Sequence, residues 1–299
     1  MKKNILILLS DPKSVNYEIL KKSLYFFKKK RRNNYILIGC KKDLLKKIKI
    51  KKIDLEFINI KKNNSTKHYL QKCFKKSFFL LKNKKAHGII NLPLNKKLLP
   101  KKYPGFTEYI ASKFNKSNME TMLMYNNKFS VCPNTTHIPL KLVSKKITKK
   151  LLIKNILNIN KFYKNIIKIK KPSLTILGLN PHSGVDMKKI TEEKKIIIPV
   201  VKKLKSKKIL IKGPISADTA FNNIQNKKIN CLIGNYHDQV LPTFKQMFKF
   251  KAINITLGLP FIRISPDHGP ATDIIGKNIA DPTSFLYALN FFEKYSKNI

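Results

Sequence analysis

Residues 231–245, CLIGNYHDQVLPTFK, carry the unit from which the fold is read. The short apolar run Cys231–Gly234 predicts a β-strand, Asn235-Tyr236-His237 the loop at its carboxyl end, and a helix starting at Asp238 that carries Lys245. The same order occurs twice upstream: Phe129–Cys132 leads into Pro133-Asn134-Thr135-Thr136-His137, and Leu174–Leu179 leads into Asn180-Pro181-His182. Further candidate strands are Ile5–Leu9, Tyr35–Gly39, Leu55–Ile60, Gly88–Leu92, Ile209–Lys212 and Ile253–Leu257. Amphipathic segments such as Thr66–Lys82, Lys149–Lys168 and Thr191–Lys205 lie between them. Strand–helix alternation predicts an α/β protein with mostly parallel sheets and helices on both faces. A break at Pro104-Gly105 suggests two α/β domains with a central cleft. The first would hold residues 1–115 plus 270–299, with the last helix, Ser284–Tyr295, packing back on it. The second, residues 116–269, would carry the three histidines.

Composition bounds the function classes. The 299 residues suffice for one large or two ordinary domains. No apolar run approaches the ~20 residues of a membrane span. The opening MKKNILILLS mimics a signal peptide, but its apolar stretch, Ile5–Leu9, ends before Asp11-Pro12 and is shorter than the ~7–15 residues required. An opening strand is the better reading. The four cysteines are scattered without a CxxC pair, which suits buried thiols in a reducing, cytoplasmic compartment.

The formal net charge of +47 invites a nucleic-acid reading. Only Arg31, Arg32 and Arg263 among the 63 basic residues are arginine, and the lysines are dispersed over almost every predicted helix. Such global enrichment looks like compositional bias rather than a binding face, so a specific nucleic-acid partner is not expected. Against this background the exceptions are informative. Seven of the ten glycines lie between residues 178 and 276, and four of the six histidines lie between His137 and Asp281, the stretch that also holds Arg263.

Each of the three histidines stands just past the carboxyl end of a predicted strand, the edge where open α/β sheets bind ligands. Singly, each reads as a satisfied loop residue. Together they suggest a catalytic divalent-metal site with open positions. Asp238 and Asp267 are candidate acceptors for the imidazoles' other N–H groups. His68 and His87 lack this setting and read as structural. Arg263 closes the run Asn254–Arg263 and suits two-point clamping of a phosphate or carboxylate, with Lys245 a second anion contact. No GxGxxG or Walker motif is present, so the residues alone do not establish a nicotinamide cofactor.

Five ordered segments carry a resemblance: Thr135–Leu140 (TTHIPL), Gly178–Gly184 (GLNPHSG), Gly213–Thr219 (GPISADT), Tyr236–Gln239 (YHDQ), and Asn254–Arg263 with Asp267-His268-Gly269. They closely resemble the 4-hydroxythreonine-4-phosphate dehydrogenase family of vitamin B6 biosynthesis, from about residue 86 to the end. The resemblance implies an isocitrate-dehydrogenase-like fold and a homodimer with its active site at the interface. It implies a divalent metal (zinc, or magnesium or cobalt) on His137, His182 and His237, and substrate contacts from Thr107, Lys245, Asn254 and Arg263. The implied reaction is NAD- or NADP-dependent oxidation of 4-phosphohydroxy-L-threonine, followed by decarboxylation. The chain departs from the family at Phe106, where a histidine is usual, and in the glycine-poor loops Asp11–Asn16 and Gly184–Met187. Alternatives are a dehydrogenase of another phosphorylated hydroxy acid, or a non-catalytic basic nucleic-acid-binding protein.

Dispersed lysines predict only non-specific polyanion binding. Affinity for DNA or RNA should be sequence-indifferent and fall steeply with salt in a fluorescence-anisotropy titration. A strong preference for one sequence at physiological salt would contradict this reading.

Overall fold

The computed structural model describes residues 2–62, 65–103, 105–188, 191–222, 224 and 228–299. Pro104, half of the expected Pro104-Gly105 boundary, lies outside the described residues. In chain order the strands are β1 (Asn4–Leu8), β2 (Asn34–Gly39), β3 (Glu56–Asn59), β4 (Gly88–Asn91), β5 (Thr121–Tyr125), β6 (Ser130–Pro133), β7 (Leu174–Leu177), β8 (Ile211–Ile215), β9 (Cys231–Gly234), β10 (Ile253–Leu257) and β11 (Ile262–Pro266). The chain forms two compact units, Met1–Glu120 with Phe250–Ile299, and Thr121–Lys249.

In the first unit the strand order is β3-β2-β1-β4-β11-β10. All neighbours are parallel except β10 and β11, which are antiparallel. A parallel strand covered on both faces has no wet side, so β1 reads as a continuous apolar run, and Ile5 through Leu8 are fully buried. On one face, Leu6, Leu8, Ile36 and Ile38 pack with Tyr69, Cys73 and Phe74 of the helix Thr66–Lys82. Ser65 caps that helix by accepting a hydrogen bond from the His68 N–H, which makes His68 an exposed first-turn residue. The helix Thr283–Tyr295 packs on β10 and β11 and buries Phe285 and Phe292.

Two sequence expectations change here. The candidate strand Ile253–Leu257 is β10, but the run that Arg263 closes does not continue it: Arg263 stands on a second strand, β11, and the two form a hairpin. Gly258, at φ 85°, lies in its turn, a backbone region that side chains disfavour. The expected second domain ran to residue 269. The chain instead rejoins the first unit at Phe250, because β11 pairs in parallel with β4 and carries β10 with it.

The second unit has the order β5-β6-β9-β7-β8, with β5 antiparallel to β6 and the rest parallel. Pro133 pairs with Gly234, and Ile176 with Ile233, so β6, β9 and β7 end level at one edge. Phe129 packs edge-on against Phe244 and Phe248 of the helix His237–Phe248, with ring centres 5.6 and 5.2 Å apart, and so fixes that helix to the sheet. The expected helix 149–168 is an α-helix, Lys149–Phe162, followed by a π-turn, Tyr163–Ile167. The segment expected from Thr191 opens with a π-turn at Glu193–Ile197 before the α-helix Ile198–Ser206. Among the described residues no helix is long and apolar enough to cross a membrane.

Gly88 tests the close packing beneath β4. A Cβ there would stand 2.4 Å from Cε1 and 2.7 Å from Cζ of Phe292, whose ring is fully buried and has nowhere to retreat. Gly88→Ala should lower unfolding free energy by about 1–3 kcal/mol in urea denaturation, the usual cost of overpacking.

Candidate active site

Past the level edge of β6, β9 and β7 stand three asparagines, Asn134, Asn235 and Asn180, each two or three residues ahead of a histidine. The Asn134 N–H donates to Gly234 O at 2.8 Å. The Thr135 N–H and hydroxyl both donate to Asn235 O, at 3.1 and 2.8 Å. Asn235, fully buried, donates from Nδ2 to Leu177 O at 2.9 Å. Gln239 completes the set: its Oε1 accepts from the Asn235 N–H and its Nε2 donates to Gly178 O, both at 2.7 Å. One glutamine thus ties the His237 loop to the His182 loop.

His137 and His237 face one another, with ring centres 5.8 Å apart. A Zn–N bond of ~2.0–2.1 Å puts each ring centre roughly 3 Å from an ion, so two ligands of one ion stand roughly 5–6 Å apart. The pair therefore fits a shared cation. His237 is the first residue of its helix, and its Nδ1 lies 2.5 Å from Asp238 Oδ1, which leaves Nε2 as the ring nitrogen not engaged by that carboxylate. The expected contact of Asp238 with one of the three histidines is present. Asp267 belongs to the other unit, where its N–H donates to Ser284 Oγ.

His182 is not gathered with the other two: among the described residues no three His, Cys, Asp or Glu side chains are close enough to hold one ion. It sits in an unusual turn, with His182 at φ 48°, ψ 28° and Ser183 at φ 57°, ψ 28°, both left-handed. Asp218 lies within electrostatic reach of it. The preceding residues are held by Glu193, whose Oε1 accepts from the N–H groups of Leu179 and Asn180 at 2.6 and 2.8 Å. Burial pushes the Glu193 carboxyl up, but the N–H donors of Asn180 outweigh it and hold the group below its ordinary range.

In the first unit, Arg263 is 3% exposed. Its Nε donates to Asn91 Oδ1 at 2.5 Å, and its Nη1 to Thr107 Oγ1 at 3.2 Å and Thr256 Oγ1 at 2.9 Å. The guanidinium carbon lies 5.4 Å from the centre of the Phe106 ring. Burial lowers its pKa to about 10, opposed by the nearby Glu108 carboxylate, so it remains cationic at neutral pH. The two-point clamp expected from sequence is narrowed: Nε and Nη1 serve the protein, which leaves Nη2 as the nitrogen without a side-chain bond of this kind among the described residues. Thr107, accepting from Arg263, keeps its O–H to donate. Asn254 shares the β10 face of Thr256, and its Oδ1 is buried without a hydrogen-bond partner. Lys245 is exposed in the last turn of the helix His237–Phe248, in the second unit. Sequence reading missed Asn91, Thr256, Glu193, Gln239 and Asp218 as supports. Gln239, Asp218 and Thr256 lie within the family-like segments; Asn91 and Glu193 carry no local signal.

The mostly parallel α/β architecture is isocitrate-dehydrogenase-like in fold. The chain matches isocitrate dehydrogenase from Methylococcus capsulatus with a TM-score of 0.50 at 11% identity, over 97% of this chain and 85% of that one, a likeness of fold. Residues 4–292 match the family model described as pyridoxal phosphate biosynthetic protein PdxA, and the chain belongs to that family. It is 40% identical to the 4-hydroxythreonine-4-phosphate dehydrogenase of Sulfurihydrogenibium sp. (strain YO3AOP1), over 95% of each chain. The crystal structure of 4-hydroxythreonine-4-phosphate dehydrogenase from Klebsiella pneumoniae is similar with a TM-score of 0.79 at 25% identity, covering 97% of this chain and 99% of that one.

Arg263→Lys keeps the charge but strands acceptors on Asn91, Thr107 and Thr256. It should cost about 1–3 kcal/mol of stability in chemical denaturation, the penalty for buried acceptors left unpaired. An unchanged midpoint would show that these bonds contribute nothing net.

Proposed function

We propose that this chain catalyses NAD- or NADP-dependent oxidation of 4-phosphohydroxy-L-threonine to 2-amino-3-oxo-4-phosphooxybutanoate, which then loses carbon dioxide to give 3-amino-2-oxopropyl phosphate. The observation that carries the reading is family membership along nearly the whole chain, with a relative of that activity at 40% identity. His137 and His237 would hold a divalent cation, and His182, which does not stand beside them within this chain, is proposed as the third ligand on the family-like motif alone; zinc suits an all-imidazole set, with magnesium or cobalt the alternatives. When bound, that cation supplies Lewis acidity at the substrate's alcohol and later carbonyl oxygen, and the nicotinamide supplies two-electron acceptance.

The chain's own residues do the rest. Asp238 orients the His237 ring. Arg263 offers Nη2 to the substrate's phosphate, its plane fixed by Asn91, Thr107 and Thr256. The Thr107 hydroxyl donates to an anionic oxygen, and the unpaired Asn254 Oδ1 accepts from the substrate's ammonium or hydroxyl. Lys245, exposed on its helix, would add a second positive charge. The homodimer with an interfacial site, and the cytoplasmic setting, are proposed on the family-like motifs and on four buried free thiols. Phe106, beside Arg263 where the family usually has histidine, favours one second reading: the same chemistry on another phosphorylated hydroxy acid.

The test is metal-dependent NAD(P) reduction with 4-phosphohydroxy-L-threonine and a panel of phosphorylated hydroxy acids. Turnover of another panel member alone would establish the second reading, and none at all would defeat both. His137→Ala, His182→Ala and His237→Ala should each lower metal content after dialysis and abolish turnover, since two ligands do not hold a catalytic ion firmly. Full metal content and activity in any one variant would remove that histidine from the site.

A further inference from the structure

We propose that Glu193 is the positioning residue of the histidine loop after β7, setting where His182 stands and so how tightly the site takes a cation. This rests on the reading of His182 as a metal ligand.

Glu193 is 1% exposed. In a chain of 63 basic residues, no basic side chain among the described residues forms a salt bridge with it. Its charge is spent on the loop instead. Oε1 accepts from the Leu179 and Asn180 N–H groups, and Oε2 accepts from Asn180 Nδ2 at 2.9 Å. The neighbouring Glu192 Oε2 accepts from the same amide nitrogen at 3.0 Å. Asn180 is therefore gripped through backbone and side chain together. Charge-assisted bonds of this kind are about twice as strong as neutral ones.

The grip on Asn180 matters because His182 is only two residues further along the chain. Pro181 has a fixed φ, so displacement of Asn180 passes to His182 with little slack. His182 and Ser183 then adopt the left-handed conformation, which costs a side-chain-bearing residue roughly 1–2 kcal/mol each. Such a turn persists only where its surroundings over-determine it. Ser183 Oγ is buried without a partner and contributes no anchor. The side-chain anchors are Glu193, with Glu192 beside it, and the bond from Gln239 to Gly178 O; the backbone adds the bond from the Gly178 N–H to Ile215 O and that from the Ser183 N–H to Asn180 O. A Cβ on Gly184 would stand 2.9 Å from Glu193 Oε2, so the loop closes around the carboxylate on its far side as well. Glu193 itself opens the π-turn Glu193–Ile197, which runs into the helix Ile198–Ser206, so the anchor sits on a packed element.

The test uses the full chain, stripped with a chelator and titrated with Zn²⁺ alone by calorimetry against a competing chelator. Glu193→Gln retains an oxygen for the backbone N–H groups but sets an NH₂ against that of Asn180. Zn²⁺ affinity should fall about 10- to 100-fold, the range for residues that orient ligands. Hydrogen exchange at Leu179 and Asn180 should quicken without any metal present. Glu293→Gln is the structural control. Glu293 accepts from the Arg32 N–H, Asn33 Nδ2 and Tyr35 O–H in the other unit, so its loss should lower the melting temperature and leave Zn²⁺ affinity unchanged. A folded Glu193→Gln protein that binds Zn²⁺ as tightly as wild type overturns the positioning role while the metal reading stands. Wild-type protein that takes up no Zn²⁺ overturns the metal reading and this inference with it. Should Glu193→Gln fail to fold by circular dichroism, Glu193→Asp, which keeps the charge but withdraws it by one methylene, is held to the same criterion.

Discussion

The second unit depends on one buried asparagine. Asn235 ends β9 and serves both neighbouring strand ends: its carbonyl takes the N–H and hydroxyl of Thr135 after β6, and its Nδ2 reaches the last residue of β7. Strand ends are where backbone groups lose their ladder partners, and a buried unpaired group costs about 1–3 kcal/mol. An asparagine answers this because it is both donor and acceptor on a short stem. Once Asn235 is seated, the loops bearing His137 and His237 have little freedom, and the 5.8 Å approach of their rings follows. Gln239 extends the same solution by one turn of helix to Gly178.

Charge does little of this holding. Three lysine–carboxylate ion pairs occur among the described residues, one of them with both partners more than four-fifths exposed, at Lys52 and Asp54. Surface pairs of that kind contribute at most about 1 kcal/mol each. With a formal charge of +47, long-range repulsion works against compactness, and the apolar sheets must offset it. The fully buried runs of β1, β7 and β9 are suited to that. The two ionic groups that matter inside, Glu193 and Arg263, are each satisfied by neutral partners, amides for one and an amide and hydroxyls for the other.

Much of this was legible in the sequence where one rule acts alone. Strands such as β1, β4 and β9 stand out because a strand buried on both faces must be an apolar run, and the three histidines stand out because each follows such a run. What was not legible was long-range. β5 (Thr121–Tyr125) alternates methionine with other residues in no pattern distinct from its surroundings. β11 is hard to separate from β10 because a glycine turn within one apolar stretch looks, locally, like a strand that continues. The return of the chain at Phe250 rather than residue 269 is set by the pairing of β11 with β4, some 170 residues apart, which no local window contains. The supports of Arg263 failed to show for the same reason: Asn91 precedes it by 172 residues. Family likeness marked Arg263 but could not tell which of its donors were already in use.

The engagement of those donors explains how the candidate site persists in a lysine-saturated chain. Substitution toward lysine is cheap on exposed helix faces, where an ammonium on a flexible stem stays hydrated. It is costly wherever a group must accept a hydrogen bond, since lysine has no acceptor, or must donate along a fixed direction. The supports of the site are of that excluded kind. Asn91, Thr107 and Thr256 accept from a planar guanidinium. Glu193 accepts from backbone amides, and Asn235 and Gln239 donate and accept at once. The compositional bias is therefore filtered by hydrogen-bond chemistry residue by residue. It fills the surface and halts at the strand ends, where a lysine would leave buried N–H and C=O groups without partners.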